Sequence, residues 1–335
     1  MTTTKLIVIL GATGNQGGSV AETFLDEPQW RVRAVTRNPN GRKAVHLANR
    51  GAEVVQADLN LPSTLSLAFK NAHAIFAVSD FWGLYGDPAN QAKATEDEPL
   101  NVWAANRETE QLKGVIDAAA KIPTLERFIF SSLSDATKWS RGKYTHVYHF
   151  DSKAKAEAYG RETYPELWKK TSIFQAGFFL SNFVSNPIFQ PEVAESGVIQ
   201  FIGNLSPDIK LPFIAAEEDT GPIVKALLHE SPEKRLIGYR EWSTLREVSG
   251  AFTRATGLAA EYVMLPRGKS KVPVPPEMER ELEDSWAYCN EFGYEGRDDP
   301  TIIHPRDLIC PPLLDGVTNY LRKQDWSQIL SAGQK

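Results

Sequence analysis

Cysteine is scarce in this chain: Cys289 and Cys310 are the only two in 335 residues. Two distant thiols exclude a disulfide-stapled scaffold and leave no second pair for a thiolate metal centre. They read as reduced structural residues of an intracellular protein, and no metal site is expected. Long apolar runs are missing too, and none approaches the roughly 20 residues of a membrane span. There is no excess of positive charge, with 37 Lys and Arg against 42 Asp and Glu, a net charge of -5 and a pI near 5.8. That balance argues against a direct nucleic-acid binder or a membrane-surface binder, yet allows a local basic pocket. No repeat or low-complexity segment is evident. The first strand reads from the fifth residue, which leaves no room for a secretory or transit peptide. The expected location is the cytoplasm, with the nucleus also open.

What is present begins at residues 5–18, Lys-Leu-Ile-Val-Ile-Leu-Gly-Ala-Thr-Gly-Asn-Gln-Gly-Gly. The unbroken apolar run Leu6–Leu10 suits a strand buried on both faces of a parallel sheet. Gly11, Gly14 and Gly17 then carry the chain into a helix. Gly11 permits the sharp turn, Gly14 the approach of a phosphate, and Gly17 close helix–strand packing. The helix N-terminus adds unpaired N–H groups and a partial positive charge, so the segment reads as a nucleotide cradle.

Further strands are expected at 30–36, 53–58, 72–79, 127–132 and 170–175, with helical patterns between them. This alternation implies right-handed crossovers and a parallel sheet. The second strand ends at Arg37-Asn38, with Arg42 and Lys43 close behind. NAD-preferring sites usually carry an acidic residue there. A guanidinium instead suits the 2′-phosphate of NADP. Asp58 and Leu59 end the third strand near the expected adenine pocket, where Asp58 could serve the adenine or cap the helix starting near Ser63. Ser79 and Phe81 end the fourth strand, which should run beside the cofactor.

Residues 83–99 read as a long polar loop, either a flap near the site or a surface insertion. The next helix is expected from Asn106. Beyond Phe178 the alternation breaks into short proline-punctuated elements, as in a smaller lobe. Within it, a helix is expected with Asp219 near its N-cap and Pro222 at an early position.

Together, Gly11-Ala-Thr-Gly-Asn-Gln-Gly-Gly-Ser19, Thr36-Arg-Asn-Pro39, Gly51-Ala-Glu-Val-Val-Gln-Ala-Asp-Leu59, His149-Phe-Asp-Ser-Lys153 and Asp219-Thr-Gly-Pro222 resemble the NmrA-like branch of the atypical short-chain dehydrogenase/reductase superfamily. The resemblance covers most of the chain and is weakest in residues 83–100 and 270–312. It implies an α/β fold, a Rossmann-type doubly wound parallel sheet with a smaller C-terminal α/β lobe. Residues 1–177 would form the NADP-binding domain, and 178–335 the substrate or partner lobe, with elements interleaved across the boundary. NADP(H) is the implied cofactor. Gly11, Thr13, Gly14, Asn15, Gln16 and Gly17 would surround its pyrophosphate, with Arg37 and Asn38 at the 2′-phosphate. Asp58 and Leu59 would line the adenine, and Lys153 would reach the nicotinamide ribose. Ser79, Phe81, Gln175, Gly177, Phe178 and Phe179 would border the nicotinamide.

The superfamily's usual Tyr-x-x-x-Lys pair places both side chains on one helical face. Here Lys153 is preceded four residues earlier by His149, and Tyr148 is rotated roughly 100° from that position. Three readings follow. The chain is an NADPH-dependent reductase of a small organic substrate of carbonyl, quinone or imine type, with Lys153 or His149 as proton donor. Alternatively it is a non-catalytic NADP(H) redox sensor that regulates a transcription factor or another protein partner, or a structural partner with a vestigial site. Phe81, Trp82, Tyr85, Phe178 and Phe179 read either as an apolar substrate pocket or as packing between lobes. Substrate identity and oligomeric state are not encoded in any motif.

Overall fold

The apolar run after Lys5 is buried on alternate sides of a sheet. Leu6, Val8 and Leu10 join the core on one face, and Ile7 and Ile9 join the core on the other. The computed structural model describes residues 4–332. Its main sheet has eight strands: β1 (Lys5–Ile9), β2 (Trp30–Thr36), β3 (Glu53–Gln56), β4 (Ala74–Ala77), β5 (Arg127–Ser132), β6 (Thr171–Ala176), β7 (Arg235–Gly238) and β8 (Ile302–Ile303). All are parallel, in the order β8-β7-β6-β5-β4-β1-β2-β3. The order reverses between β1 and β4, which opens a crevice at the carboxyl ends of the strands. The expected doubly wound sheet is present.

Five helices position the site: α1 (Asn15–Leu25), α2 (Leu100–Ala120), α3 (Tyr148–Thr163), α4 (Ala216–His229) and α5 (Pro276–Phe292). Two three-stranded sheets complete the C-terminal region. One joins 178–179, 210–214 and 241–244, and the other joins 192–193, 199–203 and 260–264. A third core lies there, built on Phe178, Phe183, Phe201, Phe213 and Phe252. Helix α4 and strands β7 and β8, although late in the chain, belong to the main sheet and its covering layer.

Local differences from the sequence reading have physical causes. Residues 83–99 are not one irregular loop, because Asp80 caps a helix over Phe81–Gly86 by accepting from Gly83 N–H, and a 3-10 turn follows at Pro88–Lys93. Helix α2 begins at Leu100, six residues before the expected start, since Leu100, Ala104 and Ala105 extend its apolar stripe. Helix α4 begins at Ala216, so Asp219 lies inside it rather than at its cap, and Pro222 is interior.

The Asp219-Thr-Gly-Pro segment is architectural. Asp219 accepts from the Ala215 N–H and takes a bidentate pair from Arg240, with both contacts at 2.7 Å. Gly221 donates its N–H to Ser19 Oγ, and a Cβ there would lie 2.1 Å from Thr23 Oγ1 and 2.2 Å from the Ser19 carbonyl oxygen. That close crossing locks α4 onto α1. Gly221→Ala should therefore lower stability by about 1–3 kcal/mol through overpacking, read from the midpoint of chemical denaturation.

Candidate active site

Past β1 the chain turns at Gly11, whose φ of +59° lies in the left-handed region that favours glycine. Gly14 N–H closes the turn on the Gly11 carbonyl at 2.8 Å. A Cβ on Gly17 would lie 2.3 Å from that same carbonyl oxygen, so glycine alone lets α1 start this close to the strand. Gly14 is the N-cap of α1 and brings no side chain to satisfy the first-turn N–H groups. Asn15, Gln16 and Gly17 therefore open onto a cleft of about 460 Å³.

Gly11, Thr13 and Gly14 line the same cleft, followed by Arg37, Asp58, Leu59 and Ser79. Thr13 is held in place by a 3.3 Å hydroxyl contact with Thr36. Arg37 is exposed, and among the described residues its side chain has no acidic partner. Asp58 already accepts from the Asn60 N–H at 2.8 Å, so it shapes its turn as well as the cleft wall. A glycine cradle, an open helix N-terminus and a free guanidinium at the end of β2 together fit a phosphorylated dinucleotide.

A second cavity of about 650 Å³ adjoins the cleft, and Asn15, Gln16 and Phe179 line both. Its walls are aromatic: Trp82, Tyr85, Phe178, Phe189 and Trp286. Burial and the neighbouring Glu277 push the Tyr85 phenol up to about 12, which keeps it neutral. Gly177 is on the wall, fixed by its N–H bond to the Gly238 carbonyl oxygen. Its polar groups include His149, Lys153, Ser131 and Ser132. Ser131 donates to Gln16 Oε1 at 2.8 Å, tying the end of β5 to the start of α1.

Lys153 points inward from α3. Its ammonium is buried and lies 2.8 Å from both oxygens of Glu108, with its third contact to the His149 carbonyl oxygen at 3.0 Å. Glu108 is fully buried and also accepts from Ser79 and Ser152. All three Lys153 protons are thus engaged. Glu157, one turn further along α3, pairs with Arg235.

His149 is on the same wall, its Nδ1 2.7 Å from Glu281 Oε1 and its ring 4.9 Å from that of Trp82. Tyr148 opens α3 but is not on the cavity wall; it packs against the cluster of Phe81, Ala104 and Ala105, where burial raises its phenol.

Three expected residues do not reach either space. Asn38 is exposed and accepts from the Asn40 N–H, making a turn after β2. Phe81 is buried under Trp82 against Ala104 and Ala105. Gln175 is fully buried at the end of β6, where its amide donates to the Glu295 carbonyl oxygen. Asn38 and Gln175 lie where their strands were expected to end and turn away from the cleft, whereas Phe81 opens a helix beyond β4 and packs beneath it.

Residues 3–315 match the NmrA-like family. The chain belongs to that family. The NmrA-like family domain-containing oxidoreductase hkm9 of Aspergillus hancockii is 31% identical over 272 residues, which cover 78% of this chain and 75% of the relative. The oxidoreductase ptmS of Penicillium ochrochloron, of the same description, is 26% identical over 316 residues, 89% of this chain and 88% of its own. Among solved structures, NmrA, a negative transcriptional regulator in complex with NADP, superposes with a TM-score of 0.73 at 22% identity, covering 99% of this chain and 98% of NmrA. The NADPH-dependent quinone oxidoreductase QOR2 of Escherichia coli, complexed with NADPH, gives 0.65 at 20% identity, with 94% and 98% covered. At these identities the two structures speak to the fold.

Two acidic residues of this NmrA-like site carry no motif. Glu108 had a readable signal, for it interrupts the apolar stripe of α2 between Ala104 and Leu112, four residues from each. Glu281 had none, because α5 holds Glu277, Glu279, Glu283 and Asp284 as well. Removing one partner of a buried ion pair leaves an uncompensated charge. Lys153→Met should therefore cost about 3–5 kcal/mol of stability. Adding Glu108→Gln should recover part of that loss, both read by denaturant titration.

Proposed function

We propose that this NmrA-like chain is an NADPH-dependent reductase of a small, largely apolar organic substrate with a carbonyl, quinone or imine group. The observation that carries the reading is the junction of the glycine cleft and the aromatic cavity at Asn15, Gln16 and Phe179. A dinucleotide held by the cradle would extend along α1 toward a space of substrate size. Bound NADPH would supply a hydride and leave as NADP⁺.

The chain's own residues would do the rest. Gly14, Asn15 and Gln16 would hold the pyrophosphate, Arg37 the 2′-phosphate, and Asp58 with Leu59 the adenine end. Lys153, pinned by Glu108, would fix the floor beside the ribose, while Trp82, Tyr85 and Phe178 would exclude water from the reacting carbon. The curated relatives, described as oxidoreductases, support this reading. The cavity also favours catalysis over the sensor alternative, since about 650 Å³ falls within the usual range for small-molecule sites.

The cofactor assignment is testable by fluorescence titration of NADPH and NADH on the same preparation. A charged hydrogen bond contributes about 1.5–3 kcal/mol. Arg37→Glu should thus weaken NADPH by about tenfold to a hundredfold and leave NADH within about twofold. Equal losses for both would remove Arg37 from the 2′-phosphate.

A further inference from the structure

We infer that Glu281 and His149 form an oriented carboxylate–imidazole dyad in which His149 Nε2 handles the proton at the substrate and Glu281 is its positioning residue. The inference rests on the reductase reading and deepens it by deciding between His149 and Lys153 as donor.

The hydrogen bonds around Glu281 fix the tautomer. The His149 backbone N–H, which can only donate, meets Oε1 at 3.1 Å. Asn101 Nδ2 meets Oε2 at 3.0 Å. The Asn101 amide is itself oriented, because its Oδ1 accepts from the Val102 N–H and its Nδ2 also donates to the Glu277 carbonyl oxygen. Both oxygens of Glu281 are therefore acceptors. A bare Nδ1 at 2.7 Å would find no donor there, so Nδ1 carries the hydrogen and bonds to Oε1. Glu281 is fully buried and reaches the imidazole from α5, with Asn101 on α2 and His149 on α3.

With Nδ1 committed, Nε2 is the free nitrogen. Among the described residues it has no hydrogen-bond partner, and His149 is on the wall of the aromatic cavity. The neighbouring pair His146–Asp284 has the same Nδ1 geometry at 2.8 Å, but His146 does not line that cavity. It acts as a clasp between the chain before α3 and α5. Lys153 is the weaker donor candidate, since every proton on its ammonium is already bonded.

The step balances simply. As the substrate carbon gains a hydride, its oxygen or nitrogen takes the proton from the imidazolium Nε2–H, and the electron pair of that N–H bond stays on nitrogen. Neutral imidazole remains, with its other proton on Nδ1 against Glu281, and solvent restores the Nε2 proton. Glu281 does not give up or accept a proton in the cycle.

The test is nitrogen-15 NMR of histidine-labelled full-length protein, with His149 assigned by the resonance lost in His149→Gln. At the alkaline end of a pH titration, where the imidazole is neutral, wild-type His149 should carry its hydrogen on Nδ1 and leave Nε2 bare. In Glu281→Gln that preference should disappear. Turnover of an NADPH-dependent carbonyl and quinone panel should fall about a hundredfold or more in kcat for both variants, with KM and NADPH affinity within about twofold. Glu281→Asp should restore part of the tautomer signature and of kcat. Hydrogen on Nε2 in neutral wild-type His149 would overturn the dyad without need of any variant, even if Glu281→Gln failed to fold. Full kcat in His149→Gln would overturn proton transfer by His149 and leave the reductase reading standing. If wild type binds NADPH but reduces nothing in the panel, the reductase reading and the proton-transfer role fall together, while the tautomer still decides whether Glu281 orients His149.

Discussion

The pairing of Glu108 with Lys153 holds the site together, because a fully buried carboxylate must have every lone pair answered. Glu108 gathers Ser79 from the end of β4, Ser152 and Lys153 from α3, and it does so from α2. Three elements far apart in sequence are thereby fixed within one hydrogen-bond radius. The third Lys153 contact, to the His149 carbonyl oxygen, extends that constraint to the start of α3. The backbone that carries the imidazole is thus held by the buried pair behind it. Such a pair adds little net stability over an apolar substitute, yet it is costly to break halfway, which favours a single arrangement.

The aromatic cavity depends on α5 in the same way. That helix is fastened across the front of α3 by Glu281 to His149, Asp284 to His146, and Glu291 to Lys143. Ser134 and Tyr288 add a buried hydroxyl contact at 2.5 Å. Trp286 is thereby brought against Phe178, and Met278 joins Trp82 among the residues that line the space. The same helix supplies the wall and holds the imidazole, so in the proposed reductase substrate enclosure and proton handling would share one element.

The C-terminal half shows how a motif can be legible while its purpose is not. Asp219-Thr-Gly-Pro contributed to the family resemblance, and its residues serve packing: a buried pair with Arg240 and a glycine crossing onto α1. Since α1 begins at the glycine cradle, this crossing supports the cleft from behind. The late strands β7 and β8 then join the edge of the main sheet beyond β6, which the break in alternation after Phe178 concealed.

Sequence alone determined the glycine turn, the parallel sheet and the basic end of β2. These are local properties: Gly11, Gly14 and Gly17 act through backbone conformation within one short segment, and Arg37 follows directly from the end of a strand. It also placed His149 where the usual tyrosine would stand, four residues before a retained Lys153. Only the tertiary structure decided which way Asn38, Phe81 and Gln175 turn, since side-chain direction beside a strand end is set by packing, and Phe81 opens a helix that no motif announced. Only it brought Glu108 to Lys153 across 45 residues and Glu281 to His149 across 132. Acidic residues on a helix look alike in a sequence. The fold distinguishes them by burial, which forces a carboxylate to find its donors.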